Sequence, residues 1–440
     1  MISYLLGILA LGLVILTHEL GHFAAARLFG VTVETFSLGW GPVIFRKKRG
    51  DTEYRISALP IGGYCGMKGE RAFREALDKN ADRIEREQGS FYAAHPLKRM
   101  GIAFAGPLAN LVFAVLAYAS VSAIGYGYFT WENRIVPAWT YDGQTDTPAQ
   151  KAGIQTGDRI IALNGQPISN YSELQQYISV RPQETITATI ERNDTVLAAE
   201  IVPALDKKTG SGKIGIYPYI PLVVGTVKPG SAADTAGIKP GDTVLEIDGK
   251  PVSHYLELEK ALDTKPAEVT VALDRNGLKL VKRVVVLYGE SGPEIGLGWQ
   301  QVSVRVPGTG LWASFRAGIG QTAQTFALTV KGIGLLFKGV NVTEAVSGPV
   351  QITHLLGEVA QSGYTALAQL LGIICVSLFL MNLLPIPVLD GGLILVTLIE
   401  LFRREPLKPR TLYYAQFIGL AFIVCIFAVA LLSDFHFLTN

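Results

Sequence analysis

A helix needs roughly 20 consecutive, mostly apolar residues to cross a bilayer, and four stretches of this chain have that length: Ile2 to about Ala26, about Ile102 to Ile124, about Leu367 to Leu389, and Tyr413 to Leu432. The pattern predicts a polytopic α-helical membrane protein, because a soluble core has no use for four such segments. Composition agrees: of 440 residues 49% are apolar and only 17% charged, against about 25% charged in soluble chains. The first stretch does not read as a cleavable signal peptide, since no Lys or Arg precedes it and it runs straight into Thr17-His18-Glu19. A net charge of +2 argues against a nucleic-acid partner. Three cysteines, two of them in apolar runs, make neither a disulfide framework nor a Cys-rich metal site.

Charge distribution orients the spans. Arg46-Lys47-Lys48-Arg49, Lys98 and Arg99 separate the first two, and Arg403, Arg404, Lys408 and Arg410 separate the last two. By the positive-inside rule both connections are cytoplasmic, which puts the long segment from about Gly125 to Ala366 on the outer side.

That outer segment contains a repeat. Ala149–Asp158 recurs as Ala233–Asp242, and the match continues through Asn164-Gly165 against Asp248-Gly249 and through Ser169, Tyr171, Glu173 and Leu174 against Ser253, Tyr255, Glu257 and Leu258. Each copy reads as a short helix ended by Gly, a Gly-Asp turn, a strand, a tight turn and an amphipathic helix. The pattern resembles the bacterial PDZ domain, an α+β module that binds extended peptides along a sheet edge. On that resemblance Ile214-Gly215-Ile216 and Ile295-Gly296-Leu297 are the candidate peptide grooves. The sequence shows no basic residue beside them, so these domains could equally act by bulk, as size filters above a membrane site. Beyond the repeats, Trp312, Phe315, Ile319, Phe326, Val330, Ile333 and Phe337 recur at helical intervals, which predicts amphipathic helices lying on the membrane surface or against the outer domains.

His18-Glu19-Leu20-Gly21-His22 sets two imidazoles four residues apart, on one face of a helix. That face can present two nitrogens to one zinc ion, with Glu19 beside the metal to take a proton from water. A charged side chain costs about 2.5–3.5 kcal/mol at the centre of a spanning helix, so Glu19 within a span needs an offsetting charge, and zinc supplies one. Catalytic zinc commonly takes three protein ligands and keeps a fourth position open. Among the remaining acids only Asp390 lies deep in apolar sequence, in Asn382-Leu-Leu-Pro385-Ile-Pro387-Val-Leu-Asp390-Gly391. The two prolines must interrupt the third span, and irregular backbone at membrane depth belongs where it is buried in protein or lines a wet cavity. Asp390-Gly391 could also be a plain turn near water.

With these residues in hand, the chain resembles the site-2 protease family of intramembrane zinc metalloproteases. The resemblance rests on His18-Glu19-Leu20-Gly21-His22, on Asn382, Pro385, Pro387, Asp390 and Gly391, on Gly62-Gly63-Tyr64, and on Ala105-Gly106-Pro107-Leu108-Ala109-Asn110. Four spans with two tandem PDZ domains between the second and third look like the RseP-type branch. Cys65-Gly66 before Met67 departs from the usual Val-Lys. The resemblance implies one Zn2+ per chain held by His18, His22 and Asp390, with Glu19 as general base and then acid. It adds Asn382 as a substrate-binding amide, which from sequence alone could equally brace the broken helix. It makes Gly62, Gly63, Tyr64 and Met67 substrate contacts on a membrane-associated β-hairpin formed by Tyr54 to Ala58 and Tyr64 to Met67. Gly106-Pro107 and Asn110 would loosen or brace the second span.

The implied substrates are single-span membrane proteins, such as a pre-cleaved anti-sigma factor, and remnant signal peptides. The implied setting is the bilayer of the bacterial inner membrane, with periplasmic PDZ domains and the active site toward the cytoplasmic side. The expected division is a first span to residue 26, a cytoplasmic-side β region over 27–100, a second span over 101–125, PDZ domains over 126–220 and 221–308, periplasmic helices over 309–362, a third span over 363–392, a cytoplasmic loop over 393–412, and a fourth span over 413–433. The alternative is a catalytically silent PDZ-containing membrane scaffold or chaperone. That reading expects a lost ligand or a lost Glu19, and none is lost.

Overall fold

The computed structural model describes residues 2–289, 292–336 and 348–439. The chain divides into two compact units, one of residues 1–126 with 306–440 and the other of residues 127–305.

The first unit is a helical bundle. Among the described residues, four helices are long and apolar enough to cross a membrane: α1 (Ile2–Leu28), α2 (Pro96–Ile124), α5 (Tyr364–Asn382) and the first part of α7 (Pro409–Thr439). Between them lie α3 (Leu311–Leu336), α4 (Pro349–Gln361) and α6 (Asp390–Arg403). Leu9, Val112, Phe417 and Ile418 are exposed on the outer faces, as side chains bathed in lipid tails can be. The inner faces meet through small residues such as Ala10 and Ala114, which pack with Val14, Tyr118, Leu371 and Cys375. Pro96 opens α2 at the position where a missing N–H costs nothing. The helix then runs unbroken through Pro107, so the Gly106-Pro107 pair does not interrupt it.

Two expectations are corrected below, while the third span is interrupted as its two prolines require. It stops at Asn382, residues 383–389 are irregular, and Asp390 opens α6. Pro385 and Pro387 cause this, since each lacks an N–H and disfavours helix in the residue before it. Helix α3 does not stand apart on a surface: Gly318 packs on Val115 and Ala119 of α2, and the Thr325 hydroxyl lies 3.1 Å from that of Tyr118. Its buried face is polar and small (Ser314, Gly318, Thr322, Thr325), which suits close helix contact in lipid and is invisible to a search for apolar periodicity. Phe337 lies outside the described residues.

The second correction concerns the sheet between α1 and α2, made of β1 (Val33–Arg49) and β2 (Thr52–Met67). Residues 54–58 and 64–67 do not pair with each other. Phe36, Ser37 and Leu38 of β1 pair on one side with Tyr54, Arg55 and Ile56 and on the other with Cys65, Tyr64 and Gly63. The first half of β1 is therefore an inner strand, and Gly63–Met67 forms an end of the sheet. Val33-Glu-Thr-Phe-Ser-Leu38 carries the β-branched and aromatic residues of a strand, but its position directly after a long helix hid it.

The second unit holds two copies of one α+β arrangement. In the first, a four-stranded sheet orders its strands as 166–167, 159–163, 186–192 and 195–201; in the second, the order is 250–251, 243–247, 268–275 and 278–285. Helices Tyr171–Ser179 and Tyr255–Leu262 cover separate cores built around Leu174 and Leu258. The repeated Gly-Asp has a physical reason. Asp158 accepts two hydrogen bonds from Arg192 at 2.7 Å and Asp242 two from Arg275 at 2.6 and 2.7 Å, and each Arg also donates to a glycine carbonyl, of Gly153 or Gly237.

Candidate metal centre

The helix period brings His18 and His22 to one face of α1, with Nε2 atoms 3.1 Å apart. Asp390, in the first turn of α6, reaches the same point: its Oδ2 lies 3.2 Å from His18 Nε2 and its Oδ1 3.3 Å from His22 Nε2. This is a group of three His, Cys, Asp or Glu side chains able to share one ion. Donor atoms about 2.0–2.1 Å from a tetrahedral zinc ion stand about 3.3 Å apart. The three observed separations, 3.1, 3.2 and 3.3 Å, match one face of that tetrahedron and leave its fourth vertex open. The donor set fits zinc.

Two elements aim these donors. His22 Nδ1 donates to the carbonyl oxygen of Ile102 on α2 at 2.8 Å. A carbonyl can only accept, so the ring proton sits on Nδ1 and the Nε2 lone pair faces the site. The ring is also wedged, because a methyl group at Gly106 would stand 2.2 Å from its Nε2. On the other side, α6 is tied to α2 by a buried ion pair between Arg99 and Glu400 at 2.5 Å, and Glu400 also accepts the backbone N–H of Leu407. One of the basic residues that orient the spans is thereby also a structural strut.

Glu19 lies beside the ligands and faces the end of the sheet. The amide of Cys65 points at its carboxylate, and a methyl group at Gly63 would stand 3.1 Å from Glu19 Cγ and 2.9 Å from the Ser37 carbonyl oxygen. Only glycine lets β2 come this close. Of the other sheet residues singled out in the sequence, Gly62 packs against the Trp40 ring, the Tyr64 hydroxyl accepts from Arg55 at 3.1 Å, and Met67 packs toward Ala26, Val33 and Phe91. Asn382 is half-buried at the end of α5 and makes no hydrogen bond to His18, Glu19, His22 or Asp390. The partner of His22 was not legible, because a backbone carbonyl has no residue signature.

The two repeats differ at their grooves. In the first, the Tyr171 hydroxyl donates to the Ile216 carbonyl at 3.3 Å, bridging helix and strand beside Ile214 and Gly215. In the second, the equivalent Tyr255 turns to Glu259 at 2.7 Å, and a cavity of about 320 Å³ opens between Tyr255, Leu258 and Leu262 of the helix and Ile295, Gly296 and Leu297. Lys228 lines that cavity together with Glu259 and Glu294, and the Lys228 backbone N–H donates to the Gly296 carbonyl at 2.9 Å. The expectation of no basic residue beside these loops is corrected for the second repeat, where Lys228 is brought in from before the repeated segment.

The model of peptidase family M50 matches residues 6–426. A protein of Treponema pallidum named "Putative zinc metalloprotease" is 47% identical over 448 aligned residues, covering 100% of both chains. The protein of Salmonella typhimurium named "Regulator of sigma-E protease RseP" is 30% identical over 457, covering 97% of both. A family match over nearly the whole length, set beside a donor triad of zinc dimensions, leads to one conclusion: the chain belongs to peptidase family M50 and is a membrane zinc metalloprotease.

Proposed function

We propose that the chain is an intramembrane endopeptidase that hydrolyses peptide bonds within the spans of single-span membrane proteins. The observation that carries this is the junction of α1 and α6, where His18, His22 and Asp390 meet on helices whose flanking residues are apolar. His18, His22 and Asp390 would hold the ion. When bound, it supplies Lewis-acid polarisation and a lowered water pKa. Glu19 takes a proton from the attacking water at its carboxylate and returns it to the departing amide nitrogen. Ile102, through His22, keeps a ligand lone pair aimed at the site, and Asn382 holds the substrate backbone near it.

A transmembrane substrate is a helix whose amides and carbonyls are paired internally, so it must unwind before it can be cut. The end strand Gly63–Met67 has a ladder partner on one side only, and it lies against Glu19. A substrate segment adding to that edge replaces its lost backbone bonds. Gly62, Gly63, Tyr64 and Met67 belong to this docking strand.

In the second unit we read the two repeats as tandem PDZ domains on the periplasmic side of the inner membrane, with the active site toward the cytoplasmic side. The open groove of the second supports peptide binding there; the bridged groove of the first supports a steric role. On this reading a pre-cleaved anti-sigma factor and remnant signal peptides are substrates, because an intact bulky ectodomain is excluded. The test is cleavage of a single-span substrate by purified protein in detergent, with zinc per chain measured in parallel. Wild-type protein that binds one zinc yet leaves every such substrate intact while cutting a soluble unfolded one would overturn the intramembrane assignment.

A further inference from the structure

The two ligand histidines are held differently. His22 Nδ1 faces a carbonyl oxygen, which permits only the tautomer whose Nε2 is bare. His18 Nδ1 faces the side-chain amide of Asn110 on α2, with Nδ2 at 3.4 Å. Asn110 is fully buried, and its Oδ1 has no hydrogen-bond partner among the described residues. An amide can present either a donor or an acceptor to the same point by turning about its last bond, as the carbonyl of Ile102 cannot.

With Nδ2 toward the ring, Asn110 would donate to Nδ1, and the proton of a neutral His18 ring would belong on Nε2, facing Asp390 Oδ2 at 3.2 Å. That tautomer has no lone pair for a metal. A ligating Nε2 must be bare, which puts the proton on Nδ1 and requires an acceptor there. The one side chain hydrogen-bonded to Nδ1 is Asn110, and the group it has to spare is the unpartnered Oδ1.

We propose that Asn110 is a positioning residue for His18: its Oδ1 accepts the Nδ1 proton of the ligating ring, which leaves Nε2 bare. The inference rests on the reading of His18 as a zinc ligand. Asn110 touches neither substrate nor reacting atoms.

The test is zinc affinity, measured by chelator competition on the full-length chain in detergent, for wild type, Asn110→Leu and Asn110→Asp. Leu keeps the volume and removes the acceptor; Asp keeps an acceptor oxygen and removes the donor. Loss of a ligand-orienting partner typically weakens metal binding about 10–100-fold, so Asn110→Leu should bind zinc at least about 10-fold more weakly. Asn110→Asp should bind within about threefold of wild type or more tightly. Melting of the metal-free proteins checks folding, and where Leu fails it, Asn110→Ala removes the same oxygen without added bulk. Wild-type affinity in Asn110→Leu or Asn110→Ala would overturn the proposal, as would an Asn110→Asp protein weakened as much as Asn110→Leu. A wild type that binds no zinc would instead sink the zinc-site reading itself.

Discussion

His22 Nδ1 and the carbonyl oxygen of Ile102 are 2.8 Å apart, so the backbone of α2 orients a candidate metal donor carried by α1. No side-chain substitution deletes that carbonyl, but its neighbour Gly106 gives a handle. In Gly106→Ala the new methyl would overlap the His22 ring, at 2.2–2.8 Å from three of its atoms. The ring must leave its bond to Ile102, and zinc affinity is expected to fall about 10–100-fold. Metal content after dialysis against a graded chelator measures it.

On the proposed mechanism Glu19 moves protons and is not one of the three donors, so Glu19→Gln should keep zinc while losing proton transfer. General acid–base catalysis contributes about 10²–10⁴-fold, and cleavage of a single-span substrate should fall at least about 100-fold at unchanged zinc per chain. Equal cleavage by wild type and variant would end the assignment of Glu19.

Gly63→Ala addresses the proposed docking strand separately from the metal. Its methyl would crowd the Ser37 carbonyl at 2.9 Å and Glu19 Cγ at 3.1 Å, pushing the end strand away from the site. Cleavage should drop by about tenfold or more, zinc should be retained, and a soluble unfolded peptide should suffer less than a helical substrate. A uniform loss on both would show that Gly63 matters only for the placement of Glu19.

Arg99 and Glu400 are a buried pair, 7% and 5% exposed. Removing one partner leaves a charge without its counterpart, at a cost of about 3–5 kcal/mol, whereas replacing both by apolar groups is often neutral. Arg99→Met should therefore lower the melting temperature markedly, and Arg99→Met with Glu400→Leu should recover most of the loss. A double variant no better than the single would mean that the pair's geometry, rather than charge burial, holds α2 to α6.

Acid should weaken the second unit. The bidentate Arg275 guanidinium holds the Asp242 carboxyl below its ordinary range, and the Lys213 ammonium holds that of Asp206 at about 2. A depressed folded value means the stabilisation is complete above the ordinary carboxyl pKa of about 4 and is lost as pH falls through the folded value. Thermal melting should therefore weaken between about pH 4 and pH 2. Asp242→Asn should be less stable than wild type at pH 7 and lose less below pH 4; parallel curves for the two proteins would refute the role of Asp242.

Much of this was legible in the residues themselves, because it depends on period and length. Apolar runs of spanning length mark the bundle, a four-residue spacing puts His18 and His22 on one face, and matched turns and strands declare the repeat. Where several packings satisfy one pattern, sequence reading ran out. Val33–Leu38 inserts between the two halves of β2, and α3 joins the bundle through its small polar face, because hydrogen-bond ladders and close helix contacts are chosen by neighbours distant in the chain. The same limit governs the metal centre. Local periodicity orients a side chain about its own helix, while the approach of Asp390 to 3.2 Å, the carbonyl behind His22 and the amide behind His18 depend on how α1, α2 and α6 dock. That docking is set by the summed packing of all three helices and not by any one segment's composition.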